Sequence, residues 1–337
     1  MGLVDARSVI YSQNGGPEVL RLVERPVREP GPGEVRVRMH RAGVNPTDWK
    51  SRVGDGRGRV VDPPQVPGQD GAGIVEAALH GLRVWVWEAA YERPDGTAQE
   101  FAVVPARRVV TLPDSASFDV GAALGVPFIT AHRCLTVTEE GPRRLGPGTL
   151  SGRTVLVAGG AGAVGNAAIQ LARWSDATII ATVSGPAKGH LAAAAGADHI
   201  VNYRQQDVAA EVRKLAPHGV DTIVEVSPAQ NAAIDAAVLA RSGSVAVYAN
   251  NGGDELTLPV RTLMVPNARW QFVLLYTAPA EAKEMAVADI MAALYDGAIA
   301  VGAEAGLPLH HYPLEDTAEA HAAVESGAVG KVLVDLA

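Results

Sequence analysis

Two patterns of hydrophobic and polar positions divide the chain. Over residues 1–125 short runs alternate apolar and polar residues, as in Glu34-Val35-Arg36-Val37-Arg38-Met39 and Arg83-Val84-Trp85-Val86-Trp87. Turn clusters such as Glu29-Pro30-Gly31-Pro32-Gly33 and Asp62-Pro63-Pro64 separate them. A period of two with short spacing predicts a compact, mostly antiparallel β domain, with Trp85 and Trp87 on one strand face in its core. From residue 152 the pattern changes. Thr154-Val155-Leu156-Val157-Ala158 is almost wholly apolar, which suits a parallel strand covered on both faces. Further strands are predicted at 178–183, 199–201, 221–225 and 244–247, alternating with helices across 166–174, 188–195, 207–215 and 230–240. That alternation predicts an α/β arrangement, a doubly wound parallel sheet with helices on both faces.

After residue 260 the alternation lapses. A long amphipathic helix is expected over Ala280 to Tyr295, a short one over Ala318 to Glu325, and a last strand at Lys331 to Val334 that returns to the first domain. The domains are therefore drawn as 1–125 with 266–337, and 126–265. Thr138 to Gly152 is polar and rich in Pro and Gly, and is read as a solvated loop.

Composition narrows the classes. The 337 residues are 47% hydrophobic and 20% charged, with 36 Gly and 22 Pro, which excludes a disordered or collagen-like chain and fits two globular domains. A formal net charge of −8 disfavours nucleic acid and anionic membrane as partners, since both are bound largely through Lys and Arg. Cys134 is the only cysteine, so an internal disulfide, a four-cysteine zinc site and an Fe–S cluster are excluded. No apolar run reaches the roughly 18 residues of a membrane span. The stretch MGLVDARSVI has no basic segment leading into an apolar core, and Ala6 stands where a myristoylation signal has Ser or Thr; a cytoplasmic location is expected.

The sharpest chemical signal is Val157-Ala158-Gly159-Gly160-Ala161-Gly162-Ala163-Val164-Gly165, between a predicted strand and a predicted helix. Gly159, Gly162 and Gly165 permit a tight turn, a close backbone approach to a pyrophosphate and close helix–strand packing, and with Ala163 and Val164 they place a helix N-terminus at the phosphates. Dinucleotide sites that take NAD carry an acidic residue about 20 residues further on. Here Ser184 falls at that place, followed by Gly185-Pro186-Ala187-Lys188. A hydroxyl and an ammonium suit a 2′-phosphate that a carboxylate would repel, so NADPH is favoured over NADH. The plainer reading leaves Lys188 at the start of a surface helix.

At this point the chain resembles a medium-chain dehydrogenase/reductase of the zinc-independent quinone oxidoreductase, or zeta-crystallin-like, branch. The likeness runs in order through Ala42-Gly43-Val44-Asn45-Pro46-Thr47-Asp48, Pro67-Gly68-Gln69-Asp70-Gly71-Ala72-Gly73, Leu112-Pro113 to Phe118 and Ala122-Ala123-Leu124 to Thr130-Ala131. It continues through the glycine motif, Ala195-Gly196-Ala197-Asp198, Val201-Asn202-Tyr203 and Gly330-Lys331-Val332. The resemblance implies a GroES-like β-rich catalytic domain, a Rossmann domain, a cleft between them for the nicotinamide, and a homodimer joined through sheet edges, for which Phe272 to Tyr276 is the expected edge. It implies that Asn45 lies near the nicotinamide ribose and substrate and that Thr130 meets the nicotinamide. Ser184, Lys188 and Tyr203 would cradle the 2′-phosphate, with Asn250 and Lys331 also near the cofactor. Zinc-dependent relatives have Cys where this chain has Asn45, and Gly-His-Glu where it has Gly68-Gln69-Asp70, so no catalytic metal is expected. The segment Glu76 to Val84 is shorter than is usual in the family, and His132 replaces a common aromatic residue.

Without a metal, hydride transfer to a quinone or an α,β-unsaturated carbonyl is the expected chemistry, because either acceptor spreads the incoming electrons onto an oxygen. An enone or enoyl-thioester reductase is the alternative, with Arg52, Arg57 and Arg59 as a basic entrance for carrier phosphates; a chain that only binds NADPH is a third reading. Asn45 either donates to the developing oxyanion or caps the turn before Pro46. His132 is a candidate acid or a packed helix histidine. Asp48 and Asp70 are read as loop-fixing acceptors, His310 and His311 as surface residues, and Cys134 as core.

Overall fold

A computed structural model describes residues 5–76 and 81–336. The readings of residues 1–4, and of residues 77–80 within the shortened segment, therefore fall outside the described residues. The chain divides into two compact units, one running to Val126 and again from Leu309, the other spanning Pro127–Pro308.

The first unit begins with β1 (Asp5–Gln13), β2 (Arg21–Pro26) and β3 (Glu34–Val44), then helix α1 (Pro46–Val53). It continues with β4 (Val60–Gln65), β5 (Asp70–Val75), β6 (Arg83–Val86), β7 (Phe101–Pro105) and β8 (Val109–Thr111), and the chain leaves it within α2 (Phe118–Leu135). The second unit holds β9 (Thr154–Ala158), α3 (Ala163–Trp174), β10 (Thr178–Val183), α4 (Pro186–Ala194), β11 (His199–Asn202) and α5 (Val208–Leu215). There follow β12 (Val220–Glu225), α6 (Pro228–Val238), β13 (Leu239–Val247), α7 (Val260–Met264), β14 (Arg269–Phe272) and α8 (Ala280–Tyr295). The first unit is completed by β15 (Leu309–Pro313), α9 (Thr317–Glu325) and β16 (Lys331–Asp335).

In the first unit the sheets run β2-β1-β4 and β15-β16-β3-β5-β6-β8, with β7 also paired to β3. Most pairings are antiparallel, as the period of two requires, and Trp85 and Trp87 are buried. The long strand β3 organises this unit: Gly43 pairs with Asp70 on one side and with Leu333 on the other.

The second unit is a six-stranded parallel sheet of order β11-β10-β9-β12-β13-β14. The chain starts in the middle and winds outward in both directions, so the order reverses between β9 and β12, and the crevice at their carboxyl ends is where such sheets take ligands. Leu156, Ile180, Val201, Ile223 and Val245, one from each of β9 to β13, are buried in its core.

Two expectations change and a third gains detail. Residues 266–308 stay with the second unit, because β14 adds to β13 and α8 lies against α3; the return comes at Leu309 rather than at 266. The edge strand is Arg269–Phe272, not Phe272 to Tyr276, since Leu275–Thr277 coils into a 3-10 turn. The stretch after Thr138 is a largely exposed loop, as expected, but it is anchored to the unit at two points. Leu145 and Leu150 are buried, and the Asp289 carboxylate accepts the Leu145 N–H at 2.7 Å and the Arg144 Nε–H at 2.7 Å.

Candidate active site

β9 ends at Ala158, and Gly159 turns the chain with a left-handed φ of +70°. Gly165 lies where any side chain would strike the turn, since a Cβ would sit 2.4 Å from the Gly159 carbonyl oxygen. The Gly162 N–H donates to the Gly159 carbonyl, and the first helical bond of α3 runs from Asn166 to Gly162 at 2.8 Å. The N–H groups of Ala163, Val164 and Gly165 therefore have no acceptor within the helix, and no side chain caps them. Three amides with the positive end of a 12-residue helix behind them form an anion cradle at the reversal point of the sheet. Val226, just past β12, borders the same turn, 3.3 Å from where a Cβ on Gly159 would stand.

Ser184 follows β10 and Tyr203 follows β11. Val183 pairs with Asn202, and the Tyr203 N–H donates to the Val183 carbonyl at 3.0 Å, so the two residues leave the sheet side by side. Lys188 stands in the first turn of α4 on the same edge. Arg204, which sequence reasoning passed over, adds an exposed cation next to Tyr203; its position directly after a strand was the available signal. Asn250 lies in an exposed turn beyond β13, hydrogen-bonded to Asp254. Its neighbour Asn251 is stitched to the turn after β12, donating to the Val226 carbonyl and accepting the Ser227 hydroxyl at 2.7 Å.

That turn rests on a group sequence reasoning missed. Glu225, the last residue of β12, accepts the Ser227 N–H and both its oxygens meet Asn231 Nδ2, at 3.1 and 3.2 Å. Asp235 hydrogen-bonds the same carboxylate, and burial pushes its carboxyl up to about 9, with the Glu225 charge adding to the effect. Asn231 and Asp235 are four apart on one helix face, a spacing visible in the sequence.

In the first unit β3 delivers Asn45 to the N-terminus of α1. The Asp48 carboxylate accepts the Asn45 N–H at 2.7 Å, which fixes the turn. The Asn45 side chain engages two others. Its Nδ2 donates to Asp70 Oδ2 at 2.8 Å, and its Oδ1 accepts from Lys331 Nζ at 2.7 Å. Asp70, on the strand beside β3, also accepts the Val126 N–H at 2.9 and 3.0 Å. All four side chains are buried; Asn45 is 2% exposed and Lys331 1%. Burial raises Asp48 to about 7, against the Asn45 N–H, and raises Asp70 to about 6, against the pull of Lys331. Burial lowers Lys331, while Asp70 and Asp48 hold it up. Lys331 is thus held between Asn45 and Asp70.

Thr130 is buried on α2, in the second unit. Near it in sequence, His132 Nε2 meets Asp289 Oδ2 at 2.8 Å. Burial would raise Asp289, but bonds from His132, Arg144 and the Leu145 N–H hold it below its usual value, so His132 is part of a packed network. Arg52 cannot line an entrance, being fully buried with its guanidinium on Glu325 at 2.9 Å and on the Gly15 carbonyl. Arg57 and Arg59 are exposed and lie near Asp55. Cys134 is buried and its thiol pushed up to about 12 by burial. His310 bonds the Val329 carbonyl and His311 bonds Asp335. Among the described residues no group of three or more His, Cys, Asp or Glu side chains is placed to hold a metal.

Two family models match, the alcohol dehydrogenase GroES-like domain over residues 31–114 and the zinc-binding dehydrogenase over residues 163–292. A quinone oxidoreductase of Lama guanicoe is 30% identical over 344 aligned positions, covering 97% of each chain. The chain belongs to this family. It is an oxidoreductase of the quinone oxidoreductase branch of the medium-chain dehydrogenases/reductases, with a GroES-like β-rich unit and a Rossmann unit. Among solved structures, a mycobacterial protein complexed with NADPH is 29% identical with a TM-score of 0.81, covering 98% of this chain and 99% of that one. An NAD-dependent alcohol dehydrogenase is 28% identical with a TM-score of 0.84, covering 98% and 100%. Relatives of this fold thus include one for each nicotinamide cofactor, and the choice for this chain turns on its own residues.

Proposed function

We propose that this member of the family is an NADPH-dependent reductase that passes hydride to a quinone without a metal. The observation that carries the reading is the Asn45 side chain, bonded to an ammonium and a carboxylate where zinc-dependent relatives are expected to place a thiolate ligand. The Ala163, Val164 and Gly165 amides fit a pyrophosphate, and Ser184, Lys188 and Tyr203 supply hydroxyls and a cation for a 2′-phosphate, with no carboxylate among them to repel it. Thr130 takes the nicotinamide end. When bound, NADPH supplies the hydride. The chain's own part is to hold the acceptor near attack distance and to offer the Asn45 amide N–H to the oxygen that gains charge. With Arg52 withdrawn, the basic entrance for an enoyl thioester loses one of its three cations. A homodimer through the β14 edge fits this reading, since Phe272, Leu274, Val260, Met264 and Val265 are all exposed on the second unit. No described helix is long and apolar enough to cross a membrane, and a cytoplasmic location is part of the proposal.

The test follows NADPH consumption by the purified protein with simple quinones, small enones and enoyl thioesters, with NADH as control and a strong chelator in parallel. Turnover with quinones, NADPH preferred and the chelator without effect, supports the proposal. Faster turnover with enones or thioesters moves the substrate class. Equal use of NADH, or loss of activity on chelation, overturns the cofactor or the metal-free part.

A further inference from the structure

An amide has a donor end and an acceptor end of nearly equal shape, and its hydrogen-bond partners decide which way it faces. At Asn45 both partners are ionisable. Lys331 Nζ, 2.7 Å from Oδ1, can only donate, and the ionised Asp70 carboxylate, 2.8 Å from Nδ2, accepts. A flipped amide would set its N–H groups against the ammonium and its oxygen against the carboxylate, exchanging two charge-assisted bonds for two repulsions. The frame around this choice is rigid. The Val126 N–H holds Asp70, and the Lys331 stem passes so close to Gly43 that a Cβ there would stand 3.0 Å from Lys331 Cε and 2.1 Å from the Ala122 carbonyl oxygen. One Nδ2 hydrogen is used by Asp70, and the other reaches only the Gly43 carbonyl at a long 3.4 Å. That weakly held hydrogen is the one left for a ligand oxygen, and a cation on Oδ1 polarises the amide so that it donates more strongly.

We propose that Lys331 is a positioning residue that acts through Asn45, its ammonium fixing the amide with the oxygen inward and its second N–H available to the carbonyl oxygen of the acceptor. This rests on the reductase reading above.

The experiment is a double-mutant cycle in the full chain with K331M, K331Q, N45A and N45A/K331M, measuring kcat with the best quinone and the NADPH Kd by fluorescence. K331M is expected to lower kcat roughly tenfold to a hundredfold, the range a misplaced group costs, with the NADPH Kd unchanged. The double variant should be no slower than N45A alone, and K331Q, whose amide N–H can still reach Oδ1, should recover part of the loss. Losses that multiply in the double variant, or a K331M defect confined to the NADPH Kd, overturn the proposal. Should K331M fail to fold, K331Q and N45A/K331Q carry the same cycle. Should the wild-type chain consume no NADPH with any acceptor, the reductase reading fails, and the Asn45 side-chain amide resonance, assigned by its absence in N45A, still judges Lys331. A shift of that resonance in K331Q supports the positioning, and an unmoved one refutes it.

Discussion

The carboxyl groups of Glu225 and Asp235 are hydrogen-bonded to each other with neither side chain reaching solvent. Two buried carboxylates side by side cannot both be ionised, so Asp235 keeps a proton up to a pH of about 9. The unfolded chain releases that proton near pH 3.8. Between these values the folded state binds more protons than the unfolded, so this pair's contribution to stability is fully present below about 4 and declines as the pH rises towards 9. Asn at position 235 copies the protonated acid, donating from Nδ2 without a titration. Asp235→Asn should therefore raise stability more at pH 8.5 than at pH 5. Thermal melts at the two pH values read the difference, on a scale where 1 kcal/mol is about 2–4 °C for units of this size.

Removing the Lys188 ammonium should weaken NADPH and spare NADH. A charge-assisted bond to a phosphate is worth about 1.5–3 kcal/mol, so Lys188→Ala is expected to raise the NADPH KM roughly tenfold to a hundredfold. Steady-state kinetics with both cofactors decide it. An equal effect on the two would place Lys188 outside the phosphate site.

How much of this was legible in the sequence depends on the distance over which each feature is set. The strand Thr154–Ala158 and the helix Ala280–Tyr295 have the bounds their local pattern predicts, and the glycine turn sits between β9 and α3 as its motif requires. Strand β14 was misplaced because Arg269–Phe272 is a half-exposed edge with little periodicity, while the more apolar residues after it drew the prediction. The anchoring of Leu145 depends on Asp289, more than a hundred residues on, and no local signal carries it. The same holds for Lys331 and Asn45, 286 residues apart.

The segment after Thr138 should open when its anchor goes. In Asp289→Ala the buried Leu145 N–H and His132 lose their acceptor, at a cost of about 1–3 kcal/mol for each group left unsatisfied. Limited trypsin digestion is expected to cut the variant at Arg143 or Arg144 at protein levels where the wild type stays intact. A variant as resistant as the wild type would show that the loop is held by its leucines alone.

A charge on the exposed edge should separate the proposed dimer. Phe272 ends β14 with its ring 60% exposed, and Phe272→Asp adds a carboxylate to an apolar surface without disturbing the buried core. Light scattering after gel filtration should show a dimer for the wild type and a monomer for the variant. A wild-type monomer would remove this edge from the assembly.

Strand β16 lies between β15 and β3, yet β3 is among the first strands a ribosome releases. Lys331 follows Asn45 by 286 positions, which at ordinary elongation rates take on the order of tens of seconds to make. Throughout that interval the Arg41–Val44 end of β3 has an open flank, able to recruit any passing strand, and Asn45 has no ammonium beside it. The second unit needs no such wait, because Pro127–Pro308 is one contiguous stretch. The nascent chain thus completes its glycine turn before the Asn45 amide is set, and its most aggregation-prone period falls on the half of the molecule that is translated first.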